Sequence, residues 1–322
     1  MLKVSIILVT YNSENYVLEA LNGIQLQTYP YLELIVTDDH SGDKTVEVCR
    51  SWLESHSNRF IRTELLISES NTGIPANCNR GLRNATGDWI KFCAADDMLL
   101  PGCIHENVEF ISSHTDIKVL FSKVDVYNDS FTSSNFLKTI PIDPFNEDSI
   151  LAPGRGALSQ YKLLLTSDRI PFTPSVFLHR NTLLAINGFD ERFRILEDHP
   201  LWLNLTKNGY RLSFMDKKTV CYRKHSHSVY NTTTNFLINP YFFLLEDFRK
   251  EYTYPFLPAD IRLSSRYYWY SVQLFRIKQL NRDTRFNRIL LSVLTLYFNP
   301  FRYFLYIRKL INKGLSKNEF YR

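Results

Sequence analysis

Residues 4–43 read VSIILVTYNSENYVLEALNGIQLQTYPYLELIVTDDHSGD, and the architecture can be worked out from this pattern. Val4–Thr10 is almost entirely apolar or β-branched, which is typical of a strand covered on both faces. A helical pattern then runs from Ser13 to about Gln27, and Leu32–Thr37 repeats the strand pattern. A strand, a helix and a second strand at this spacing predict a parallel βαβ unit.

The same alternation continues to about residue 126. We predict further strands at Arg62–Ser68, Trp89–Cys93 and Lys118–Val126, and helices at Asp43–Trp52, Pro75–Asn84 and Pro101–His114. Such alternation indicates a doubly wound α/β sheet, in which ligands bind at the carboxyl ends of the strands.

The remainder of the chain is less regular. Asn128–Arg155 is polar and contains prolines, which predicts an irregular loop. Beyond it we predict helices at Leu158–Leu165 and Leu196–Asn208, a strand at Ser175–His179, and a hairpin-like pair at Tyr210–Phe214 and Thr219–Arg223. From about Thr234 the pattern is helical. We therefore expect one domain over residues 1–230 and a helical segment over residues 231–322.

The composition is that of a folded intracellular protein. The chain has 322 residues, of which 44% are hydrophobic and 22% are charged. Its five cysteines are scattered and odd in number, so the sequence predicts neither a disulfide framework nor a zinc site. The first residues lack the cleavage site of a signal peptide, and we predict a cytoplasmic location.

The last part of the chain is basic and aromatic. Residues 241–322 contain 15 Lys and Arg against 6 Asp and Glu. The uncharged run Ile289–Phe301 has 13 residues, whereas a spanning helix needs about 20. A helix lying on an anionic membrane surface fits this pattern, at the inner face of the cell membrane. The alternative is a helix packed on the catalytic domain or on a second subunit of a homodimer. No recognition motif supports a nucleic-acid partner.

Four polar clusters follow predicted strands or begin predicted helices. They are residues 10–14 (TYNSE), 37–43 (TDDHSGD), 94–97 (AADD) and 196–199 (LEDH). Each has a structural explanation when taken alone. Asp43 can cap the next helix, the acidic pair at 96–97 can be a solvated turn, and acids at a helix start can offset the helix dipole.

The carboxylates also have chemical uses. Asp39 lies where nucleotide-binding sheets place an acid that accepts hydrogen bonds from a base or ribose. Asp96 and Asp97 are adjacent and repel each other unless a cation neutralises them. Mg²⁺ or Mn²⁺ holding diphosphate oxygens meets that need.

Together the segments resemble the family 2 glycosyltransferases, which have the GT-A fold. The resemblance covers about residues 1–230. It lies in the segments VSIILVTYNSENYV, ELIVTDDHSGDKT, NTGIPANCNRGLRNATGDWIKFCAADD, PSVFLHRNTLLAINGFDERF, LEDHPLWLNLTKNGY and YRKHSHS. It implies a mixed sheet with a nucleotide-binding half and an acceptor half, followed by the helical, basic-aromatic extension.

The resemblance also implies roles for individual residues. Asp198 would be the catalytic base, next to Glu197. The cation would be held by Asp97, with His225 approaching it unless that histidine is only structural. The residues that would bind the nucleotide sugar are Thr10, Tyr11, Glu14, Asp39, Asn79 and Asp96. Arg80 or Arg83 would help to meet the diphosphate charge.

The activity implied is inverting transfer of a sugar from a nucleoside diphosphate sugar, expected to be a UDP-sugar, to a hydroxyl. The acceptor expected is a lipid-linked saccharide, as in O-antigen and other surface-polysaccharide pathways. Absence of the family's QxxRW signature favours addition of one sugar. Ala94 replaces an acid of the usual DxD, and Cys78 replaces a common arginine, so a non-catalytic binding or assembly protein is the alternative. The residues after the first strand argue against a nucleotidylyltransferase or a dehydrogenase.

Overall fold

The computed structural model describes residues 1–166, 168–225 and 236–305. The chain divides into two compact units, residues 1–228 and 229–322. The domain boundary predicted at residue 230 lies outside the described residues.

A mixed sheet of nine strands forms the centre of the described part of the first unit. The strands are β1 Val4–Thr10, β2 Leu32–Asp38, β3 Arg62–Ile67, β4 Trp89–Ala94, β5 Met98–Leu99, β6 Val119–Asn128, β7 Phe136–Ile140, β8 Phe177–His179 and β9 Leu212–Lys224. Their order is β3-β2-β1-β4-β8-β6-β9-β5, and β7 pairs with β6.

The direction of the strands changes in the middle of the sheet. β3, β2, β1 and β4 are parallel, whereas β8 is antiparallel to β4 and to β6. Thr10 at the end of β1 pairs with Asp38 on one side, and Val9 pairs with Ala94 on the other. The polar segments that follow β1, β2 and β4 therefore begin at one edge of the sheet.

Helices cover the sheet. In the first unit they are α1 Val17–Gln25, α2 Thr45–His56, α3 Ile74–Asn84, α4 Cys103–Ser113, α5 Ala157–Leu164, α6 Arg180–Ala185 and α7 Asp198–Lys207. The apolar faces of α1 and α2 supply buried Leu21, Ile24, Cys49 and Trp52 to the core. Pro75 occupies the first turn of α3, where no intrahelical N–H is needed.

Several predicted helices begin later than expected. We expected α1 to start at Ser13, but the hydroxyl of Ser13 donates to the carbonyl of Tyr11 and does not cap the helix. We expected α2 to start at Asp43. That carboxylate does bind the amide of Thr45, the first helical residue. The loops before the helices are longer because their polar groups bond to one another across the edge.

Two predictions beyond residue 128 are wrong. The pair at Tyr210–Phe214 and Thr219–Arg223 is one strand, β9, because residues 216–217 bulge between Met215 and Lys218 while the ladder with β6 continues. The predicted loop at Asn128–Arg155 contains β7, which pairs with β6 and donates the Thr139 hydroxyl to Asp125. Both features depend on β6, which is distant in sequence.

The second unit is helical in its described part. Its helices are α8 Pro240–Tyr252, α9 Ala259–Gln273 and α10 Arg285–Ser292, which continues as a π-helical turn over Val293–Tyr297. The side chains of Asn239 and Thr284 cap α8 and α10. The core of the unit consists of Ile238, Phe243, Val272 and Phe275, against which Leu290, Leu291 and Leu294 pack.

The other side of α10 is exposed and apolar. We define the outer face by Phe286, Ile289, Leu296, Tyr297 and Phe304, each more than 40% exposed. Arg282, Arg285, Arg288 and Arg302 are exposed in the same segment, where the acid is Asp283, bonded to Arg288. Within residues 236–305 and the rest of the described chain, no helix is long and apolar enough to cross a bilayer.

Candidate active site

The segment after β1 contributes one buried and two exposed side chains. The Thr10 hydroxyl is buried and donates to Oδ2 of Asp38 at 2.7 Å. Tyr11 is 49% exposed. Glu14 is exposed, and its Oε2 accepts from the amide of Lys44 at 3.0 Å. Of the three residues predicted to line the nucleotide pocket, Tyr11 and Glu14 can therefore touch a ligand without rearrangement.

Asp39 holds a loop. Its buried carboxylate accepts hydrogen bonds from the amides of Thr72, at 3.0 Å, and Gly73, at 2.7 Å. Gly73 has φ 97°, and a Cβ there would lie 2.5 Å from the carbonyl oxygen of Arg194. Only glycine fits between these segments. The predicted contact between Asp39 and a nucleobase would have to be made by a carboxylate that already binds two amides.

Asn79 fastens α3 to the turn at residues 187–189. Its Nδ2 donates to the carbonyl of Phe189 at 2.9 Å and to Oε1 of Glu191 at 2.8 Å, and its Oδ1 accepts from the amide of Phe189 at 2.9 Å. Gly188 has φ 67°, and a Cβ there would lie 2.4 Å from Asn79 Oδ1. The side chain predicted near the diphosphate is instead fully used within the protein.

The predicted diphosphate arginines are also engaged. Arg80 Nη1 donates to Asn77 Oδ1 at 2.7 Å, and its Nη2 donates to Thr72 Oγ1 at 2.9 Å. Arg83 is largely exposed and lies 3.4 Å from Glu191. Arg80 thus stiffens the loop that Asp39 holds.

The two acids of the turn after β4 have different surroundings. Asp96 is 31% exposed, and its Oδ2 lies 3.0 Å from Nε2 of His225. Asp97 is buried, and its Oδ1 accepts from the backbone amide of Arg223 at 3.1 Å. Burial, together with the charge of Asp96, raises the pKa of Asp97 well above its usual range. The sequence assigned the cation to Asp97, but the geometry favours Asp96.

The glutamate–aspartate pair stands at the start of α7. Asp198 Oδ1 accepts from the amide of His199 at 2.6 Å, and its Oδ2 accepts from the hydroxyl of Thr173 at 3.2 Å. Burial and the charge of Asp168 raise the pKa of Asp198 to about 6. Burial and the charge of Asp198 raise the pKa of Glu197 to about 8. Oε2 of Glu197 is buried and finds no hydrogen-bond partner among the described residues.

Two neutral side chains show that these acids lie near one another. Burial raises the pKa of the Tyr222 hydroxyl to about 12, and the charges of Asp97, Asp96 and Glu197 contribute. Burial raises the pKa of the Cys78 thiol, and the charges of Glu197 and Asp39 raise it further. Because Coulomb interactions weaken with distance, the acids at 39, 96–97 and 197 surround one region at the carboxyl edge.

A cation would find two ligands at this edge. In the described residues, no three His, Cys, Asp or Glu side chains converge as a ready metal site. Asp96 and His225 can supply an oxygen and a nitrogen. Mg²⁺ commonly binds one or two carboxylates and takes its other ligands from substrate phosphates and water, so these residues fit a cation that arrives with a diphosphate.

Four residues were given no role from sequence. Thr173 bonds the carboxylate of Asp198, Tyr222 lies among the acids, and Arg223 contacts the acidic turn. Lys91, in β4, is fully buried and donates to the carbonyls of Pro174 and Val176 at 2.7 and 3.3 Å. Arg223 lay inside the recognised YRKHSHS segment, whereas nothing in the pattern marked the other three.

Comparisons with known proteins agree with this arrangement. The glycosyl transferase family 2 model matches residues 5–164. EpsE of Bacillus subtilis, a putative glycosyltransferase, is 27% identical over 213 residues, which are 65% of this chain and 68% of EpsE. TarS of Staphylococcus aureus, a poly(ribitol-phosphate) beta-N-acetylglucosaminyltransferase, is 27% identical over 247 residues, which are 73% of this chain and 39% of TarS.

Solved structures show the same fold. TarS 1–349 in complex with UDP-GlcNAc has a TM-score of 0.59 at 19% identity, covering 91% of this chain and 79% of that one. The mannosyltransferase PcManGT of Pyrobaculum calidifontis, in complex with GDP-Man and Mn²⁺, has a TM-score of 0.50 at 18% identity, covering 98% and 76%. Sequence match and fold agree, and the chain belongs to glycosyl transferase family 2, with the GT-A fold.

Proposed function

We propose that this chain is an inverting glycosyltransferase that moves a single sugar from a nucleoside diphosphate sugar to an acceptor hydroxyl. The observation that supports this most directly is the meeting of the Asp96–Asp97 turn with the Glu197–Asp198 pair around Tyr222. One acidic group can serve the leaving diphosphate, and the other can serve the attacking hydroxyl.

Asp198 is the general base in this proposal. Hydrogen bonds from Thr173 and His199 fix its carboxylate and leave lone pairs for an acceptor hydroxyl. Its raised pKa suits a base that works near neutral pH. As the acceptor oxygen attacks the anomeric carbon, its proton passes to Asp198 and the bond to the diphosphate breaks. A single displacement inverts the configuration at that carbon.

Glu197 has a different role from its neighbour. Because its pKa is raised further than that of Asp198, it is mainly protonated at pH 7. A protonated carboxyl in a buried position can donate a hydrogen bond. We assign Glu197 to holding a hydroxyl of the sugar or acceptor beside Asp198, while Asp198 takes the proton.

Asp96 and His225 hold the cation in this proposal, and Mg²⁺ or Mn²⁺ is the expected ion. A bound divalent ion neutralises negative charge on a leaving diphosphate. The complex of PcManGT with Mn²⁺ supports the choice of ion. Tyr11 and Glu14 have exposed surface on the nucleotide side of the edge. In this assignment Asp97, Asp39 and Asn79 shape the site from within the protein, and Thr10 bonds Asp38.

The donor and acceptor classes follow from the relatives. A UDP-sugar is the proposed donor because TarS was solved with UDP-GlcNAc. A saccharide of a surface polysaccharide, linked to lipid, is the proposed acceptor. TarS and AmsB, an amylovoran biosynthesis glycosyltransferase of Erwinia amylovora, support a role in polysaccharide biosynthesis. The chain spans 39% of TarS, so the substrate is inferred for this chain alone.

A donor screen tests the proposal. UDP-GlcNAc and related nucleotide sugars, with and without Mn²⁺, are added to the protein in a thermal-shift assay. A true donor at 100 times its Kd should stabilise the fold by about 2.7 kcal/mol, and only with the cation present. Release of radiolabelled sugar from the bound donor then separates an enzyme from the non-catalytic alternative, which would bind without turnover. Failure of every donor to bind would contradict the proposal.

We further propose that the outer face of the second unit rests on an anionic membrane. Leu290, Leu291 and Leu294 already pack on the core of the unit, so the apolar side chains of the outer face are left for another partner. Exposed aromatic and aliphatic groups flanked by arginines match an anionic lipid interface, where each nearby Arg contributes about 1 kcal/mol. A lipid-linked acceptor would be reached from this position. A homodimer contact is the alternative occupant.

Vesicle binding tests the membrane proposal. Phe286→Ser/Ile289→Ser should lower partitioning onto phosphatidylglycerol-containing vesicles roughly 10-fold or more, because two apolar side chains lose their burial in lipid. Leu263→Ser/Tyr270→Ser removes exposed side chains of α9 and serves as the control. If the wild-type protein stays in solution with these vesicles and sediments as a dimer, the dimer alternative is correct.

A further inference from the structure

Arg223 is a buried arginine at the end of β9, and its side chain is 3% exposed. Its Nε donates to the carbonyl oxygen of Asp96 at 2.9 Å, and its backbone amide donates to Oδ1 of Asp97 at 3.1 Å. One residue therefore contacts both acids of the turn after β4. Since a burial this deep removes the guanidinium from solvent, Arg223 can act on a ligand only through its neighbours.

The rest of the guanidinium is anchored away from the turn. Nη2 donates to Glu19, which lies in α1, and Nη1 donates to the carbonyl of Asp129, just beyond β6. Arg223 thus joins β4, α1 and β6 at one point. An arginine fork bound on several sides is a rigid support, because its planar geometry restricts each bond.

Aromatic rings complete the anchor. The guanidinium carbon lies 4.1 Å from the centre of the Phe131 ring and 5.0 Å from that of Tyr16. The Tyr16 ring is also 4.6 Å from the ring of His225. Tyr16 therefore contacts both Arg223 and the histidine that faces Asp96, so the arginine and histidine share one support.

We propose that Arg223 is a positioning residue that sets the distance between Asp96 and His225, and so determines how tightly the site holds a divalent cation with a nucleoside diphosphate. This inference rests on the proposed function. The carbonyl bond fixes the backbone of Asp96, the amide bond fixes Asp97 behind it, and the shared Tyr16 ring fixes His225. Outer partners of metal ligands typically change metal affinity by about 10- to 100-fold when they are lost.

The choice of variants follows from exposure. Arg223→Met keeps the length of the side chain and removes the guanidinium. Glu19 is 47% exposed, so Glu19→Gln weakens the anchor without leaving a buried charge unpaired. Lys224→Met, at the exposed neighbouring position, removes one positive charge of the same strand end and serves as the matched control.

Manganese binding is the readout. Free Mn²⁺ is measured by electron paramagnetic resonance in the presence of UDP, and again with GDP. We expect the Mn²⁺ affinity to fall about 10-fold or more in Arg223→Met, to fall by a smaller factor in Glu19→Gln, and to stay unchanged in Lys224→Met. Circular dichroism reports whether each variant is folded.

The outcomes separate this inference from the proposed function. If the wild-type protein binds Mn²⁺ with neither nucleotide, the proposed function fails first. If the wild type binds and a folded Arg223→Met has the same affinity, the arginine is only structural and the inference is overturned. Should Arg223→Met not fold, Glu19→Gln decides, and an unchanged affinity in that variant overturns the inference.

Discussion

Asp198→Asn should reduce sugar transfer by about 10²- to 10⁴-fold, the range that a positioned general base contributes. The amide has nearly the same shape and can still accept from Thr173 and His199, so the fold should be retained. An amide cannot take the acceptor proton at neutral pH. Nucleotide affinity should stay within about 2-fold, because Asp198 faces the acceptor and not the diphosphate.

The measurement is turnover beside UDP binding, with the donor found in the screen. A loss of UDP affinity as large as the loss of turnover would place Asp198 at the nucleotide and contradict its role as base.

The pH profile supplies the matched control. A base must be deprotonated, so wild-type turnover should fall as the pH is lowered through about 6, where Asp198 titrates. The charge of Asp168 is one cause of that raised pKa. Asp168→Asn should therefore move the acidic limb of the profile to lower pH while maximal turnover is kept. An acidic limb that does not move would show that another group controls the profile.

Asp96→Asn should lower the Mn²⁺-dependent affinity for UDP by about 100-fold or more, because loss of a direct ligand should cost at least as much as loss of an outer partner. The exposed carboxylate of Asp96 faces His225, and an amide is a much weaker ligand for a divalent ion. Binding of UDP without metal should change little. Calorimetric titration with and without Mn²⁺ measures both quantities.

Asp97→Asn is the control for the same turn. Asp97 is buried with a raised pKa, so the wild-type side chain is mainly neutral, and an asparagine can still accept from the amide of Arg223. Its Mn²⁺-dependent affinity should remain within about 3-fold of wild type by this reasoning. Equal losses in the two variants, or a loss only in Asp97→Asn, would return the cation to Asp97.

The parallel half of the sheet could be predicted because its signals are local. β1 has the predicted bounds, Val4–Thr10, and β4 differs from its prediction by one residue. An unbroken apolar run flanked by polar turns specifies a buried strand without help from distant residues. β7 and the bulge in β9 are different, since both exist only because β6 offers a partner.

The site divides in the same way. Sequence indicated which acids reach the carboxyl edge, because the residue after a strand end is a local property. It could not show which atoms remain available. Asp39 bonds amides more than thirty positions away, and Asn79 bonds Phe189, 110 positions away. Partners at such separations are known only once the chain is folded, so Asp39 and Asn79 could be located but not assigned.

Lys91 has a consequence for anyone who builds chimaeras from these proteins. Its buried ammonium, in the parallel half, relies on carbonyl groups of residues 174 and 176, which precede and lead into β8. A graft that brings in a foreign acceptor half without matching that backbone would leave a cation in an apolar interior without acceptors, at a cost of several kcal/mol. Donor and acceptor halves are therefore not interchangeable modules, and the lysine and its carbonyls should be transferred together.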